Sequence, residues 1–324
     1  MTKAIRIHET GGPEVLHFED VEVGEPAAGW VRVRHTAVGV NYIDTYHRSG
    51  LYPLGLPSGL GLEAAGVIDA VGEGVTRWKT GDRVAWGTGP VGAYAESSCV
   101  PAERVVAIPA GVSDEQAAAL MLKGLTAWYL LRRTYRVKKG DTILFHAVAG
   151  GVGQLSCQWA KHLGATVIGT VGGPAKMDLA RSVGCDHVID YNSENFARRV
   201  REITGGKGVP VVYDGVGRST FEGSLDCLSP LGLMVSFGNA SGSPDPVNLQ
   251  MLSLGGSLFI TRPTLMHYTA DPADLAEGAA ELFALVASGA VKVDIQRRYA
   301  LKDATDAHRD LEARKTTGQV VLLP

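Results

Sequence analysis

The sequence predicts an α/β fold, a six-stranded doubly wound parallel sheet together with a compact barrel-like β module. Three observations predict it. From residue 140 onward, strand candidates alternate with helices of 8–12 residues, the signature of βαβ units and a parallel sheet. Before residue 109 the chain breaks into short alternating strands separated by glycine turns, as in small barrels. Glycine itself is in surplus. The 324 residues hold 41, where average usage of ~7% gives about 23, so backbone is kept bare for turns or for close approach.

The elements follow in order. Ala4-Ile5-Arg6-Ile7-His8 alternates until Gly11-Gly12-Pro13 stops it, and Val31 and Val33 alternate with Arg32 and Arg34 across 30–35, the pattern of a half-buried strand. Residues 66–71 and 82–86 are further strands, with turns at glycines 72, 74, 81, 87, 89 and 92. Ser113 and Gln116 have capping-box spacing ahead of an alanine run, which opens a helix. A second helical run covers 124–133. The six sheet strands are 142–147, 166–170, 187–190, 211–214, 233–237 and 258–261, with helices at 152–163, 176–183, 195–204 and 220–228. Gly164 and Gly184 stand just past the first two helices, where a C′ glycine ends a helix. After Pro263 come a helix at 274–288 and strands at 296–300 and 319–323. That tail is too short for a core of its own and is expected to complete the first module. The expected domains are 1–122 with 263–324, and 123–262.

Charge and cysteine narrow the function classes. Thirty-one basic and 34 acidic residues give a net charge of −3, which offers nucleic acid or an anionic membrane no footprint. No apolar run approaches the ~20 residues of a membrane helix, and Met1–Ile7 lacks the apolar core of a signal peptide. Four scattered cysteines, Cys99, Cys157, Cys185 and Cys227, form no C-x-x-C pair. Reduced thiols in a cytoplasmic protein are expected.

The most informative segment is Ala147-Val148-Ala149-Gly150-Gly151-Val152-Gly153. It follows a strand and opens a helix, the context in which a glycine-rich loop binds a dinucleotide pyrophosphate at a helix N-terminus. Gly150 and Gly153 keep the spacing, and Ala147 or Ala149 takes the place of the leading glycine. An NAD site carries an acid at the end of the second strand to accept from the ribose 2′-OH. Here the strand runs into Val171-Gly172-Gly173, with Lys176 three residues on and no acid. The missing carboxylate removes repulsion against a 2′-phosphate, so NADPH is the expected cofactor. Lys176 is either its partner or a solvated surface lysine.

Several segments together resemble the quinone oxidoreductases, zinc-free relatives of zeta-crystallin in the medium-chain dehydrogenase/reductase superfamily. They are His8-Glu9-Thr10-Gly11-Gly12-Pro13-Glu14-Val15-Leu16, Asn41-Tyr42-Ile43-Asp44-Thr45-Tyr46, Ser49-Gly50-Leu51-Tyr52-Pro53, Gly61-Leu62-Glu63-Ala64-Ala65-Gly66, Gly81-Asp82-Arg83-Val84, Leu122-Lys123-Gly124-Leu125-Thr126 and Phe237-Gly238-Asn239. The resemblance runs from end to end. It implies that the β module is a GroES-like catalytic domain, that the sheet is a Rossmann domain, and that the cleft lies between them. It also implies a homodimer, with the 258–261 strands pairing across a two-fold axis. Zinc-dependent members hold their metal with Cys, His and Cys or Asp. The matching positions here are Asn41, Leu62 and Leu122, and leucine ligates nothing. No H-E-x-x-H motif replaces them. With no metal expected, alcohol oxidation loses its Lewis acid. A quinone accepts hydride without one, because the charge spreads onto an oxygen of a ring becoming aromatic.

Site residues carry over position by position. Asn41 is expected to face the nicotinamide or the substrate oxygen, its alternative being a turn amide. Tyr46 and Tyr52 are donors to the quinone or packed aromatics. Lys123 is near the cofactor or a solvent-facing charge, and Thr126 bonds the nicotinamide side. Asp44 and Glu63 are read as structural, with Glu63 pairing a nearby cation. Cofactor contacts are expected from Ala149, Gly150, Gly151, Val152, Gly153, Gly172, Gly173, Lys176, Tyr191, Gly215, Phe237, Gly238, Asn239, Ser241, Arg262 and Thr264. Arg314, with Arg309 as a competitor, is expected to reach the 2′-phosphate. The function implied is NADPH-dependent reduction of a quinone to a semiquinone or hydroquinone. The alternatives are a 2-alkenal or enoyl reductase and a non-catalytic NADPH-binding protein.

Overall fold

The computed structural model describes residues 1–324, which divide into two compact units. The first comprises Met1–Leu125, Thr269–Ser288 and Val293–Pro324, and the second Thr126–Tyr268 with Gly289–Lys292. The second unit takes back residues 289–292 through a two-way amide clamp, Gln158 donating to the Lys292 carbonyl at 3.1 Å and accepting from its N–H at 2.8 Å.

In the first unit a sheet runs in the order Ile295–Ala300, Gln319–Leu323, Trp30–Gly39, Ala64–Val71, Arg83–Trp86, Val106–Ala107, with Ser97–Pro101 also paired to Trp30–Gly39. The C-terminal strand lies antiparallel to Trp30–Gly39, setting Leu322 opposite Val38, so the tail does complete this module's sheet. A smaller sheet joins His17–Val21, Thr2–Ile7 and Ser58–Gly59. Val31, Val33, Ile68, Val84 and Trp86 point into one core with Ile5, Ile7 and Leu322, which is the alternation the sequence displays.

Two helices of this unit carry no clear sequence signal, Tyr42–Ser49 and Ala304–Glu312. Their buried faces are Asp44, Thr45, His47 and Arg48 in one, and Ala304, Ala307 and His308 in the other. Apolar periodicity cannot reveal the first, which buries its polar side, and the second has only two alanines and Leu311 for its apolar stripe. The helical runs read separately at 113 and 124 are one helix, Asp114–Tyr129, continued by a π-helical turn at Leu130–Thr134. Its start is the expected capping box: the Ser113 hydroxyl accepts from Gln116 N–H at 3.1 Å, and the Gln116 side chain accepts from Ser113 N–H at 3.0 Å. Gly124 lies inside it because the Leu282 side chain fills the space a Cβ would take.

The second unit is a parallel six-stranded sheet in the order His187–Asp190, Thr166–Val171, Thr142–Phe145, Val209–Asp214, Leu228–Ser236, Phe259–Thr261. That is the doubly wound order, with its switch point between the first and fourth strands, where such folds bind ligands. Predicted bounds hold to a residue or two, except that the fifth strand starts at Leu228, five residues earlier than expected. Gly164 and Gly184 take φ of +84° and +100° as helix-ending residues. Phe259–Thr261 is the outer edge of the sheet. No helix in the protein is long and apolar enough to cross a membrane.

Candidate active site

In the second unit the strand Thr142–Phe145 ends early because Ala147 turns to φ +53°. Ala147 thus occupies the leading-glycine position in the left-handed region, at a cost glycine would avoid. Its carbonyl accepts from Gly150 N–H at 2.9 Å, and Gly150 starts the helix Gly151–His162. A Cβ at Gly153 would lie 2.5 Å from the Ala147 oxygen and 2.6 Å from Val148 Cα, so only glycine lets the helix close on the loop. At Gly150 the nearest atom would be the Ala147 oxygen at 3.2 Å. Gly150 is exposed, and that oxygen is the one atom a Cβ there would crowd. Val148 is buried against Gly169, and Ala149 is buried beside it. The helix has no acid in its first turn, and its positive end suits an anion.

A buried polar chain fixes this loop, and sequence reasoning missed it. Asp214, fully buried at the end of the fourth strand, accepts from Val216 N–H (2.8 Å), Gly217 N–H (3.0 Å), Thr220 (2.7 Å) and Ser224 (2.8 Å). With its proton given to Asp214, Ser224 accepts from His146 Nε2 at 2.9 Å. His146 Nδ1 then accepts from Thr170 at 2.8 Å, and the Thr170 oxygen accepts from Ala147 N–H at 3.4 Å. Burial lowers the His146 pKa, which keeps the ring neutral in this tautomer. Three strand ends are tied together by residues far apart in sequence, so no local motif announces them.

Beyond the second strand, Gly172 and Gly173 lead into the turn Pro174–Lys176. A Cβ at Gly172 would meet the Tyr191 hydroxyl at 2.5 Å, so Tyr191 lies over this glycine. The acid absent after the second strand has a neighbour on the third. Asp190 is buried, and it is spent on Gly173 N–H at 2.9 Å, Asn192 N–H at 3.1 Å and the Ser193 hydroxyl at 3.2 Å. It shapes the loop that carries Lys176.

The loops after the fourth and fifth strands interlock. Ser241 accepts from Ser219 N–H at 3.0 Å and donates to the Val216 carbonyl at 2.8 Å. Gly215 was expected to clear cofactor space, yet a Cβ there would sit 2.9 Å from the Phe237 ring. Its bareness therefore also admits Phe237, which packs on Phe145 at 5.7 Å. Arg262 donates to the Ser236 carbonyl at 2.7 Å, and the Asn239 amide would bridge the Gly238 carbonyl (2.8 Å) and Arg262 (3.3 Å) with its oxygen and nitrogen exchanged. Thr264 is exposed, its carbonyl accepting from His267 N–H at 3.2 Å.

In the first unit Glu63 is the hub. It is fully buried and accepts from Lys123 Nζ at 2.8 Å, Asn41 Nδ2 at 2.8 Å and Leu122 N–H at 2.6 Å. The expected cation partner is Lys123, which is buried and not a solvent-facing charge. Asn41 is the N-cap of the helix Tyr42–Ser49, in a capping-box arrangement with Asp44, and its amide also reaches Glu63. A carboxylate only accepts, so Glu63 fixes the Asn41 amide with Oδ1 turned away, and that Oδ1 is buried with no partner. An unmatched buried acceptor costs ~1–3 kcal/mol and marks a place for a ligand donor.

Asp44 fastens the same helix. It accepts from Asn41 N–H at 2.8 Å and from the Tyr94 hydroxyl at 2.9 Å. Tyr94 accepts from His308 Nε2 at 3.1 Å, and Arg48 donates to His308 Nδ1 at 3.1 Å while pairing Glu312 at 2.6 Å. Burial pushes the Asp44 carboxyl up to about 7 and, with the Arg48 charge, drives His308 down to about 3. Tyr46 stands edge-on to Tyr42 at 5.5 Å and to Tyr52 at 5.2 Å. Both tyrosines are half-buried, so the aromatic packing is real and leaves part of each ring accessible. Arg314 is exposed at φ +57° just past the helix Ala304–Glu312, and its charge acts on Tyr42. Thr126 is buried on the helix Asp114–Tyr129 and belongs to the second unit, as does Lys176; Arg314 belongs to the first. No three His, Cys, Asp or Glu residues are grouped to hold a metal ion.

Comparison with known proteins adds to this geometry. Residues 27–110 match the alcohol dehydrogenase GroES-like domain family, and residues 151–282 match the zinc-binding dehydrogenase family. A quinone oxidoreductase from Pseudomonas aeruginosa is 57% identical over the whole of both chains. A 2-haloacrylate reductase from Burkholderia is 47% identical, covering 100% of this chain and 99% of its own. The Escherichia coli quinone oxidoreductase solved in complex with NADPH superposes with a TM-score of 0.98 at 51% identity, covering 99% of this chain and 100% of that one.

Proposed function

The chain belongs to the quinone oxidoreductase family, and from that premise we propose that it reduces quinones at the expense of NADPH without a metal. It is an oxidoreductase of the GroES-like and Rossmann type. The observation that carries the reading is the glycine loop, whose bare Gly150 and acid-free helix start leave a cradle for a pyrophosphate. The fit is supported at two further places: the 2′-phosphate side has Lys176 and no uncommitted acid, and Asn41 Oδ1 waits for a donor. The NADPH complex of the Escherichia coli relative supports the same cofactor.

Bound NADPH supplies a hydride from nicotinamide C4. The chain does the rest. Residues 149–153 would hold the pyrophosphate at the open helix start, and the His146 chain holds that loop ready before anything binds. Lys176 pairs the 2′-phosphate. Asn41 accepts an N–H or O–H from the ring end, Glu63 locks its orientation, and the Tyr46 and Tyr52 hydroxyls serve as donors to the quinone oxygen. Prearranged donors aimed at developing charge supply the stabilisation that a metal would give elsewhere.

Lys176→Ala tests the cofactor assignment. Losing a charge-assisted pair costs roughly 1.5–3 kcal/mol, so NADPH affinity by fluorescence titration falls about 10- to 100-fold while NADH affinity holds. Equal loss for both cofactors removes the 2′-phosphate role. The acceptor is tested by NADPH consumption with 9,10-phenanthrenequinone; a chain that binds NADPH and reduces no quinone contradicts the reading. A second reading, reduction of an activated carbon–carbon double bond, is favoured by the 2-haloacrylate reductase relative.

The assembly proposed is a dimer. The edge strand Phe259–Thr261 is unpaired on its outer side, with Phe259 59% exposed and Leu254 and Leu249 81% and 76% exposed. An apolar open edge invites pairing with a second copy. Sedimentation equilibrium is expected to give twice the chain mass, and Phe259→Glu to give the single mass; a wild-type monomer contradicts the proposal.

A further inference from the structure

Cys157 and Cys185 lie 28 residues apart in sequence and 3.0 Å apart between sulfurs. Cys157 is in the middle of the helix that follows the glycine loop, and Cys185 stands just before the strand His187–Asp190. We infer that this pair is a dithiol site, oxidised by hydroperoxides to a reversible internal disulfide. A disulfide needs its sulfurs at ~2.05 Å, so about 1 Å of closure suffices, within reach of side-chain rotation. The remaining thiols are placed differently: Cys227 packs into the core of the second unit and Cys99 belongs to the first. The space is made by Gly169, where a Cβ would lie 2.7 Å from both the Cys185 sulfur and a Val148 methyl. The pair therefore borders the buried side of the glycine loop.

The order of events follows from the surroundings. Cys157 is 1% exposed, and the neighbouring sulfur and burial hold its thiol well above the usual range. Cys185, at 7% exposure, is the more accessible of the two sulfurs and meets the oxidant first. The Cys185 thiolate attacks a peroxide oxygen, the O–O bond breaks and hydroxide leaves as water. Cys157 then gives up its proton and attacks the sulfenic sulfur, the S–O bond breaks, the S–S bond forms, and the departing hydroxide takes that proton and leaves as a second water. The two thiols give up two electrons and two protons, and hydrogen peroxide becomes two waters. Burial makes the reaction slow, which separates such a site from a catalytic dithiol.

The test is thiol counting on the folded full-length protein, held with hydrogen peroxide at mildly alkaline pH and then denatured. The count is expected to fall from four to two, the mass to fall by two hydrogens, and the peptide map to join Cys157 to Cys185. Dithiothreitol restores all four. Cys185→Ser, or Cys185→Ala if the serine disturbs folding, abolishes the cross-link. An unchanged count, a cross-link through Cys99 or Cys227, or oxidation to sulfinic acid without a cross-link overturns the inference.

Discussion

Replacing Lys123 by methionine is expected to destabilise the protein by about 3–5 kcal/mol, because it leaves the Glu63 carboxylate buried without a counter-charge. Against a total of roughly 5–15 kcal/mol, that is a large fraction of the stability. Glu63 is fully buried, so water cannot take the ammonium's place. The Asn41 and Leu122 donors stay in position, but hydrogen bonds from neutral groups offset only part of an unpaired charge. Adding Glu63→Gln to Lys123→Met removes the charge and keeps an acceptor for Leu122. The double variant should recover half or more of the loss, since a buried ion pair replaced whole is often near neutral. Urea unfolding of the two single variants and the double measures this coupling directly. Losses that simply add would mean that the two charges do not depend on each other.

The second large effect separates folding from binding in the glycine loop. Gly153→Ala sets a methyl against the Ala147 oxygen and Val148 Cα. These are backbone atoms that cannot rotate aside, so the loop must open. Overpacking of this kind costs about 1–3 kcal/mol, and NADPH affinity should fall with the loop geometry by about 100-fold. Gly150→Ala is different. Its φ of −81° suits alanine, and the new methyl touches only one atom, at 3.2 Å. Thermal stability should hold while NADPH affinity drops at least about tenfold, because the methyl stands where the pyrophosphate approaches. A Gly150→Ala protein that binds NADPH as tightly as the original would place the cofactor elsewhere.

These expectations rest on features of unequal visibility in the sequence. The parallel sheet was legible because its strands are apolar runs between glycine-ended helices. The Ser113–Gln116 box was legible because capping is local. The helix Tyr42–Ser49 was not, since Asp44, Thr45, His47 and Arg48 are its buried side and invert the usual pattern. The partner of Glu63 was foreseen as a cation without being identified. Lys123 is 60 positions away, and only the fold brings the two together. The His146–Asp214 chain was invisible for the same reason, with His146, Thr170 and Asp214 each at the end of a different strand. Gly215 shows a subtler limit: a bare position marks close approach, but the sequence does not say whether a ligand or a phenylalanine approaches.

The central claim is that hydride from NADPH goes to a quinone. One competition tests it most directly. NADPH deuterated at C4 is given to the protein with 9,10-phenanthrenequinone and trans-2-hexenal together. Hydride delivered to a quinone ends on oxygen and exchanges with water, whereas hydride delivered to an alkenal stays on carbon. The account predicts hydroquinone as the main product, deuterium in the solvent and little labelled hexanal. Deuterium retained mainly on hexanal carbon, with a specificity constant for the alkenal about tenfold above that for the quinone, would contradict it.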